Sequence, residues 1–463
     1  MKIHADTYDR QEPKSLSRSN DKSCDLSRRN FIGKAGAAVA AFTIVPRYVL
    51  GGEGYTPPSE KLNIAAIGAG GIGKSNINAV ADDENIVALC DVDDQRASEM
   101  YQRFPSVKKY KDFRRMLEKQ KDIDAVIIAT PDHTHAPAAM AAMQLGKHVY
   151  CQKPLTHSIY EARKLTEAAR RYKVATQMGN QGQSKEGPRL IAEWIADGAI
   201  GQVREVHAWS NRPIWPQGIE KPQDIPAIPA TLAWDLWLGP APVRAYHPAY
   251  LPFKWRGWWD FGTGALGDMG CHIINPAFFA LKLGHPTSVE ATSTKLNSET
   301  FPLASIVHYT FGARGDMPPV KLHWYDGGIK PKRPEELEQG RRLSGDDNGA
   351  IFVGDKGKIM CDSNGDAARI IPETKMQEYK LPPKTLPRVG CSHEMDWVRA
   401  CKGGQPACSN FDYSGPLTET ILLGNIALRA GQKIEWDAKN MKVTNVPEAN
   451  QYIRREYRQG WTL

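Results

Sequence analysis

The sequence is short of what a membrane protein, a disulfide scaffold or a nucleic-acid platform would need. No apolar run reaches the roughly 18 residues that cross a bilayer, and mean hydropathy is −0.48, which excludes a multi-span membrane protein. Eight cysteines are present without a Cys-x-x-Cys pair and at irregular spacings. Cys24 falls in the leader and leaves an odd number behind, so neither a disulfide framework nor a zinc ribbon is supported. Most of these cysteines read as small buried apolar side chains. The net charge of +8 brings no block of Lys/Arg with it: residues 1–55 alone hold nine basic and six acidic residues, and the rest of the surplus is spread thinly. That pattern argues against a nucleic-acid partner. No internal repeat is evident. What remains is 463 residues with 41% hydrophobic content, enough for two ordinary domains and an extra segment.

The extra segment lies at the amino terminus. Ser27-Arg28-Arg29-Asn30-Phe31-Ile32 precedes a small, apolar, uncharged stretch from Ala35 to Pro46, followed by Gly51-Gly52. A charged leader, a weakly hydrophobic stretch and a small-residue tract read as a secretory signal. The arginine pair with Phe31 resembles a twin-arginine signal. That resemblance implies export of an already folded protein, commonly with its cofactor inside, to the periplasm or another compartment outside the cytoplasm. Residues 1–55 are therefore expected to be signal and linker, with no membrane span after signal removal.

From Lys61 onward, strand-like and helix-like pieces alternate. Leu62–Ile67, Ile86–Cys90, Ala125–Ala129, His148–Gln152 and Val174–Met178 are short apolar runs. Ile72–Ala81, Asp94–Phe104, Pro137–Leu145 and Ser158–Arg171 are helical in pattern. This predicts an α/β fold, a doubly wound parallel Rossmann sheet over residues 61–182. Beyond about residue 185 the texture changes. All twelve tryptophans lie past residue 193, a helix is expected at Gly267–Leu283, and strands are expected at Val203–Trp209, Ser288–Ser293, Ala304–Phe311, Val320–Trp324, Ile351–Val353 and Lys358–Cys361. Residues 183–463 are thus expected to form a second α/β domain with a large, mostly antiparallel open sheet.

Three motifs carry chemistry. Gly68-Ala69-Gly70-Gly71-Ile72-Gly73 follows an apolar strand and opens a helix, and Asp91 closes the next strand. Glycines there permit a tight turn and close approach of a pyrophosphate to the helix amino terminus. Asp91 can accept from a ribose diol and would repel a 2′-phosphate, so NAD is favoured over NADP. Cys151-Gln152-Lys153-Pro154 ends a later strand on the carboxyl side of the sheet, where ligands bind in such folds. The alternative there is a solvated lysine beside a turn proline. In Gly267-Asp268-Met269-Gly270-Cys271-His272, Asp268 and His272 stand one helical turn apart on one face. They suit proton transfer at neutral pH, and the alternatives are a helix cap beside a satisfied histidine or two ligands of a metal site. His133 and His135 do not share a helix face, so capping and cofactor contact are preferred to a metal there, and no metal is expected. His393-Glu394 with Asp396 reads as a helix start.

With Thr130-Pro131 ending another strand, these ordered motifs resemble the oxidoreductases typified by glucose–fructose oxidoreductase, inositol 2-dehydrogenase and MocA, over about residues 61–436. The resemblance implies nicotinamide-dependent chemistry on a sugar, cyclitol or similar polyol, a homo-oligomer, and catalysis at Lys153, Asp268 and His272. It places Gly68, Gly70, Gly71, Ile72, Gly73, Asp91, Thr130, Pro131, His135 and Lys153 at the cofactor. In the implied mechanism His272 takes the hydroxyl proton as hydride leaves for the nicotinamide. Lys153 hydrogen-bonds the same oxygen, and Asp268 orients substrate or His272. Trp258 and Trp259 could stack on sugar faces beside His272, or serve packing and subunit contact. One departure stands out, Gln152 where the family usually has Glu.

An exported enzyme meets little free NAD, which favours a tightly bound cofactor regenerated within the site. Besides a sugar or polyol oxidoreductase, the residues suit an NAD-dependent glycoside hydrolase working through transient oxidation and elimination, or a non-catalytic NAD-binding sensor.

Overall fold

The computed structural model describes residues 60–463. The twin-arginine motif and its apolar stretch lie outside the described residues. Six parallel strands form the first sheet: β1 Asn63–Ile67, β2 Asn85–Cys90, β3 Lys108–Tyr110, β4 Ala125–Ile128, β5 His148–Cys151 and β6 Thr176–Met178. Their order is β3-β2-β1-β4-β5-β6, the doubly wound arrangement in which strand order reverses between β1 and β4. Every residue of β4 is buried, as expected of a strand covered by helices on both faces. β3 was not read from the sequence, because Lys108-Lys109-Tyr110 is a polar edge strand with no apolar run.

The second sheet has nine strands. β7 Val203–Trp209, β8 Ser288–Ser293, β9 Ser305–Phe311, β10 Val320–Tyr325, β11 Gly349–Gly354, β12 Lys358–Asp362, β13 Arg369–Ile371, β14 Ile434–Asp437 and β15 Lys442–Val443 run in the order β13-β12-β11-β7-β10-β9-β8-β14-β15. Only β7 and β10 pair in parallel; the other neighbours are antiparallel. In β9 burial alternates strictly along Ser-Ile-Val-His-Tyr-Thr-Phe, the period-two signature of a sheet with one covered face.

The helix Phe411–Ala430 packs on helix Ile159–Tyr172 and on β8, and its buried face joins both sheets into one core. Helix Ile159–Tyr172 starts with a capping box in which Ser158 and Glu161 satisfy each other's backbone N–H groups. Glu161 also anchors the end of the chain, accepting from Arg455 Nε at 3.0 Å and Tyr457 OH at 2.6 Å. The last ten residues thereby return to the first sheet. Arg458 pairs with Asp235, Arg114 donates to the Gly460 carbonyl, and Trp461 packs on Phe113 under the Arg114 guanidinium.

Two helices differ from expectation. The helix expected from Pro137 begins at Asp132 and carries Pro137 inside. The stretch expected as one helix from Gly267 is two, Gly264–Ile273 and Asn275–Ala280, with Pro276 opening the second. Among the described residues no helix is long and apolar enough to cross a membrane. All seven described cysteines are unpaired, and Cys90, Cys151, Cys271 and Cys361 are buried.

Candidate active site

A cavity of about 470 Å³ opens along the carboxyl ends of β1, β2, β4 and β5. Gly68, Gly70, Gly71 and Ile72 form one wall; Asp91, Thr130, Pro131 and Lys153 continue it. The far wall comes from the second half of the chain, with Trp237, Phe253, Trp255, Arg256 and Trp461. Helix Ile72–Val80 begins at Gly71 with no side-chain cap; Gly73 N donates to the Gly70 carbonyl at 3.0 Å, and the helix start at Gly71 and Ile72 lines the cavity. An uncapped amino terminus beside glycines is a cradle for a pyrophosphate, and the residues fit NAD. Asp91 is half-buried; its Oδ2 accepts from Ala69 N at 2.8 Å and its Oδ1 from Asp93 N at 2.9 Å. It fastens the glycine turn to β2 and keeps lone pairs for a ribose diol.

Lys153 and Asp268 meet directly. Lys153 Nζ lies 2.8 Å from Asp268 Oδ1 and 2.8 Å from the Asp268 carbonyl, although 115 residues separate them in sequence. Arg256 Nε donates to the same Oδ1 at 3.0 Å, and Arg212 Nε stands 3.8 Å from Oδ2. Burial alone would raise the Asp268 carboxyl; the charges of Lys153 and Arg256, with their hydrogen bonds, overcome it and hold the group well below the usual carboxylate range. Asp268 is therefore a fixed anion that positions Lys153 and Arg256. It does not hydrogen-bond His272, so of the two expected roles, orienting substrate or His272, the second is not made by a direct contact.

His272 follows one turn later on the same helix. Burial, reinforced by the Lys153 charge, lowers its imidazole to about 3, against the opposing pull of Asp268 and an Asn364 hydrogen bond. Its Nδ1 is buried with no hydrogen-bond partner among the described residues. The ring is therefore neutral at physiological pH.

Four expected contacts are not made. Trp258 is fully buried in an aromatic cluster with Trp234, Trp237, Tyr250 and Phe261, and its Nε1 donates to the Ala249 carbonyl. No sugar can reach that ring. Trp259 packs on Phe301 and its Nε1 donates to Asn297, away from the cavity that holds Lys153. His135 is 1% exposed, with its ring nitrogens 2.9 Å from the carbonyls of Pro154 and Thr130. It braces the two loops that line the cavity and is shielded from a cofactor. Gly73 likewise lies behind the cavity wall, where a Cβ would meet the Gly68 carbonyl oxygen at 2.1 Å.

The Gln152 departure has a structural counterpart. Gln152 Nε2 donates to Asn76 Oδ1 at 2.9 Å, and Asn76 Nδ2 donates to Glu394 Oε1 at 2.8 Å. Tyr150 OH donates to the same Glu394 oxygen at 3.2 Å. A buried carboxylate thus enters from helix His393–Cys401. An amide at 152 lets the donors run one way toward Glu394, whereas a carboxylate there would have no proton to give Asn76.

Asp132 was not singled out from the sequence. It lines the cavity at the start of helix Asp132–Gln144, is 3% exposed, and accepts from Thr263 Oγ1 at 2.6 Å. Burial pushes its carboxyl up from 3.8 to about 7, against the Thr263 hydrogen bond and the charges of Arg256 and Lys153. An unfolded chain loses this proton near pH 3.8 and the folded one near 7, so folding stability falls as pH rises between them. Asp132→Asn keeps the acceptor for Thr263 and removes the buried charge. It is expected to raise Tm at pH 8 by several degrees, with about 1.4 kcal/mol per pKa unit behind the shift, and to have no such effect near pH 4. Equal Tm changes at both pH values, read by calorimetry, would refute the buried-charge account.

Comparisons with known proteins agree with this geometry. Residues 62–180 match the model of the oxidoreductase family, NAD-binding Rossmann fold, and residues 202–314 match that of the same family's C-terminal alpha/beta domain. Levoglucosan dehydrogenase of Pseudarthrobacter phenanthrenivorans is 26% identical over 229 residues, covering 47% of this chain and 50% of that protein. A glycosyl hydrolase family 109 protein of Stenotrophomonas maltophilia is 39% identical over 140 residues, covering 27% of this chain and 29% of its own length. The chain thus matches about half the length of its curated relatives, or less. Among solved structures, the WlbA dehydrogenase of Bordetella pertussis in complex with NADH and UDP-GlcNAcA superposes with a TM-score of 0.56 at 17% identity, covering 81% of this chain and 99% of that one. The fingerprint cradle, the paired sheets and both family matches agree, and the chain belongs to the Gfo/Idh/MocA family of NAD-binding oxidoreductases.

Proposed function

We propose that this protein is an exported NAD-dependent oxidoreductase that acts on a CH–OH group of a sugar or polyol and keeps its cofactor tightly bound, as a homo-oligomer. The observation that carries the reading is Lys153 Nζ, fixed 2.8 Å from Asp268 in the wall of the dinucleotide cavity with neutral His272 one turn away. Bound NAD would supply a hydride acceptor there. Lys153 donates a hydrogen bond to the reacting oxygen and stabilises the negative charge that develops on it. His272 takes the hydroxyl proton, and Asp268 keeps Lys153 aimed. Tight retention is supported by the far wall, since Trp237, Phe253, Trp255 and Trp461 close over the fingerprint from outside the first sheet. Export rests on the Arg28-Arg29 motif and its apolar follower.

A second reading, a glycoside hydrolase working by transient oxidation, elimination and return of the hydride, draws on the 39% identity to the family 109 protein. Such chemistry needs no ordinary carboxylate pair. One experiment separates the two. The purified protein is denatured and its released NAD(H) assayed, then intact protein is offered sugars and chromogenic glycosides. Ketone formation matched by NAD reduction is the expected result. Leaving-group release without net NADH makes it a hydrolase. If no cofactor copurifies and added NAD leaves Tm unchanged, tight binding is wrong; full activity in a Lys153→Ala, His272→Ala double variant would remove both residues from the chemistry, and no turnover of any sugar or glycoside by NAD-loaded protein would leave only a sensor.

A further inference from the structure

The catalytic corner holds more positive charge than its acids neutralise. Lys153, Arg256 and Arg212 converge on the single carboxylate of Asp268, at 2.8, 3.0 and 3.8 Å. Their side chains are only 16, 20 and 24% exposed, so water screens them poorly. His272 is neutral, and the other nearby acid, Asp132, holds its proton into the neutral range. The open helix terminus at Gly71 would meet the dinucleotide phosphates. An oxidised nicotinamide would add a further positive charge to this corner.

The arginines are also under-partnered. Arg212 Nε is buried and makes no hydrogen bond among the described residues. Arg256 lies flat between Trp255, 4.2 Å away, and Phe253, 4.4 Å away, with Nε on Asp268 and Nη1 on the Phe253 carbonyl. Its Nη2 has no partner among the described residues, and the residue lines the cavity. A guanidinium stacked between rings has lost rotamer freedom before any ligand arrives, which makes it a pre-organised anion receptor. Removing cations from water without matching anions is unfavourable unless a ligand brings the missing charge.

We propose that the substrate is an acidic sugar, and that Arg256 receives its anionic group in the cavity while Lys153 faces the hydroxyl to be oxidised. This rests on the oxidoreductase reading above. Arg–carboxylate and Arg–phosphate pairs share the chemistry, two N–H donors on two oxygens, so uronates and sugar phosphates are both candidates.

The test uses protein carrying its NAD. Binding of D-glucuronate, D-galacturonate, glucose 6-phosphate and galactose 6-phosphate is compared with binding of glucose and galactose, by calorimetry at fixed salt. At least one anionic sugar is expected to bind ten-fold or more tightly than its neutral parent. Arg256→Gln should erase that preference and Arg256→Lys should restore part of it, with Tm confirming that both variants fold. The uronate and phosphate arms identify which anion is taken. Neutral parents binding as tightly as the acids, a preference that survives Arg256→Gln, or no binding by any of the six would overturn the proposal. Reduction of bound NAD at 340 nm by neutral sugars alone would sink it and leave the oxidoreductase standing, whereas protein that never holds NAD fails the underlying reading instead.

Discussion

Lys153→Met is expected to lower kcat on the true substrate by about 10²–10⁴-fold, the range typical for removing one positioned proton donor. Two features make this substitution cleaner than most active-site changes. Methionine keeps the length and apolar stem of the side chain, so the cavity wall is preserved. The variant also loses one of three cations held by Asp268, which stays paired with Arg256 at 3.0 Å. No buried charge is stranded, and Tm should therefore hold or rise. The NADH affinity should change little, because the pyrophosphate cradle lies on the loop Gly68–Gly71 and not on Lys153. The pattern to look for is intact cofactor binding, intact folding and lost turnover. Turnover within three-fold of wild type would remove Lys153 from the chemistry. Loss of cofactor together with turnover would instead make it a structural residue.

The first sheet was legible because its signals are local. Apolar runs of four to six residues, helices of amphipathic period and the glycine fingerprint each lie within one βα unit, and all of its strands but the polar edge strand β3 fall within two residues of where the pattern puts them. Lys153, Asp268 and His272 were also legible, since each sits in a short motif. What the sequence could not give was who meets whom. Arg212 and Asn364 reach the site from segments that follow strands, Glu394 from the start of helix His393–Cys401, and Trp461 reaches the cavity from the final residues; no spacing rule connects them. The aromatic cluster misled for a related reason. Tryptophans crowded between Trp209 and Trp259 look alike in sequence, yet Trp255 lines the cavity while Trp258, three residues on, is fully buried. In an irregular segment the side-chain direction follows no period, so exposure cannot be counted off along the chain. Asp132 was missed because its significance lies in burial, a property set by Thr263 and the helix Gly264–Ile273 above it.

Gly73→Ala tests whether the fingerprint is a rigid cradle. A Cβ at this position would sit 2.1 Å from the Gly68 carbonyl oxygen and 3.2 Å from the Ala129 side chain. The first contact is with backbone, and Gly68 cannot retreat. Its own φ is +88°, and it packs so closely on β4 that a Cβ there would meet the Ala129 carbonyl at 2.5 Å. The helix Ile72–Val80 must therefore move away from β1, taking with it the N–H groups that face the pyrophosphate. Overpacking of this kind costs about 1–3 kcal/mol, and a loss of about 2 kcal/mol in the dinucleotide site weakens NADH binding roughly 30-fold. Lys74, the next residue of the helix, supplies the control. Its side chain is 38% exposed and pairs with Glu99 at the surface, so truncating it leaves the helix seated on β1. Lys74→Ala should thus bind NADH within a few-fold of wild type while Gly73→Ala does not, by fluorescence titration of apo-protein. If the two variants bind alike, the clash at Gly68 is relieved without moving the helix. The third glycine of the fingerprint would then serve something other than helix–strand contact.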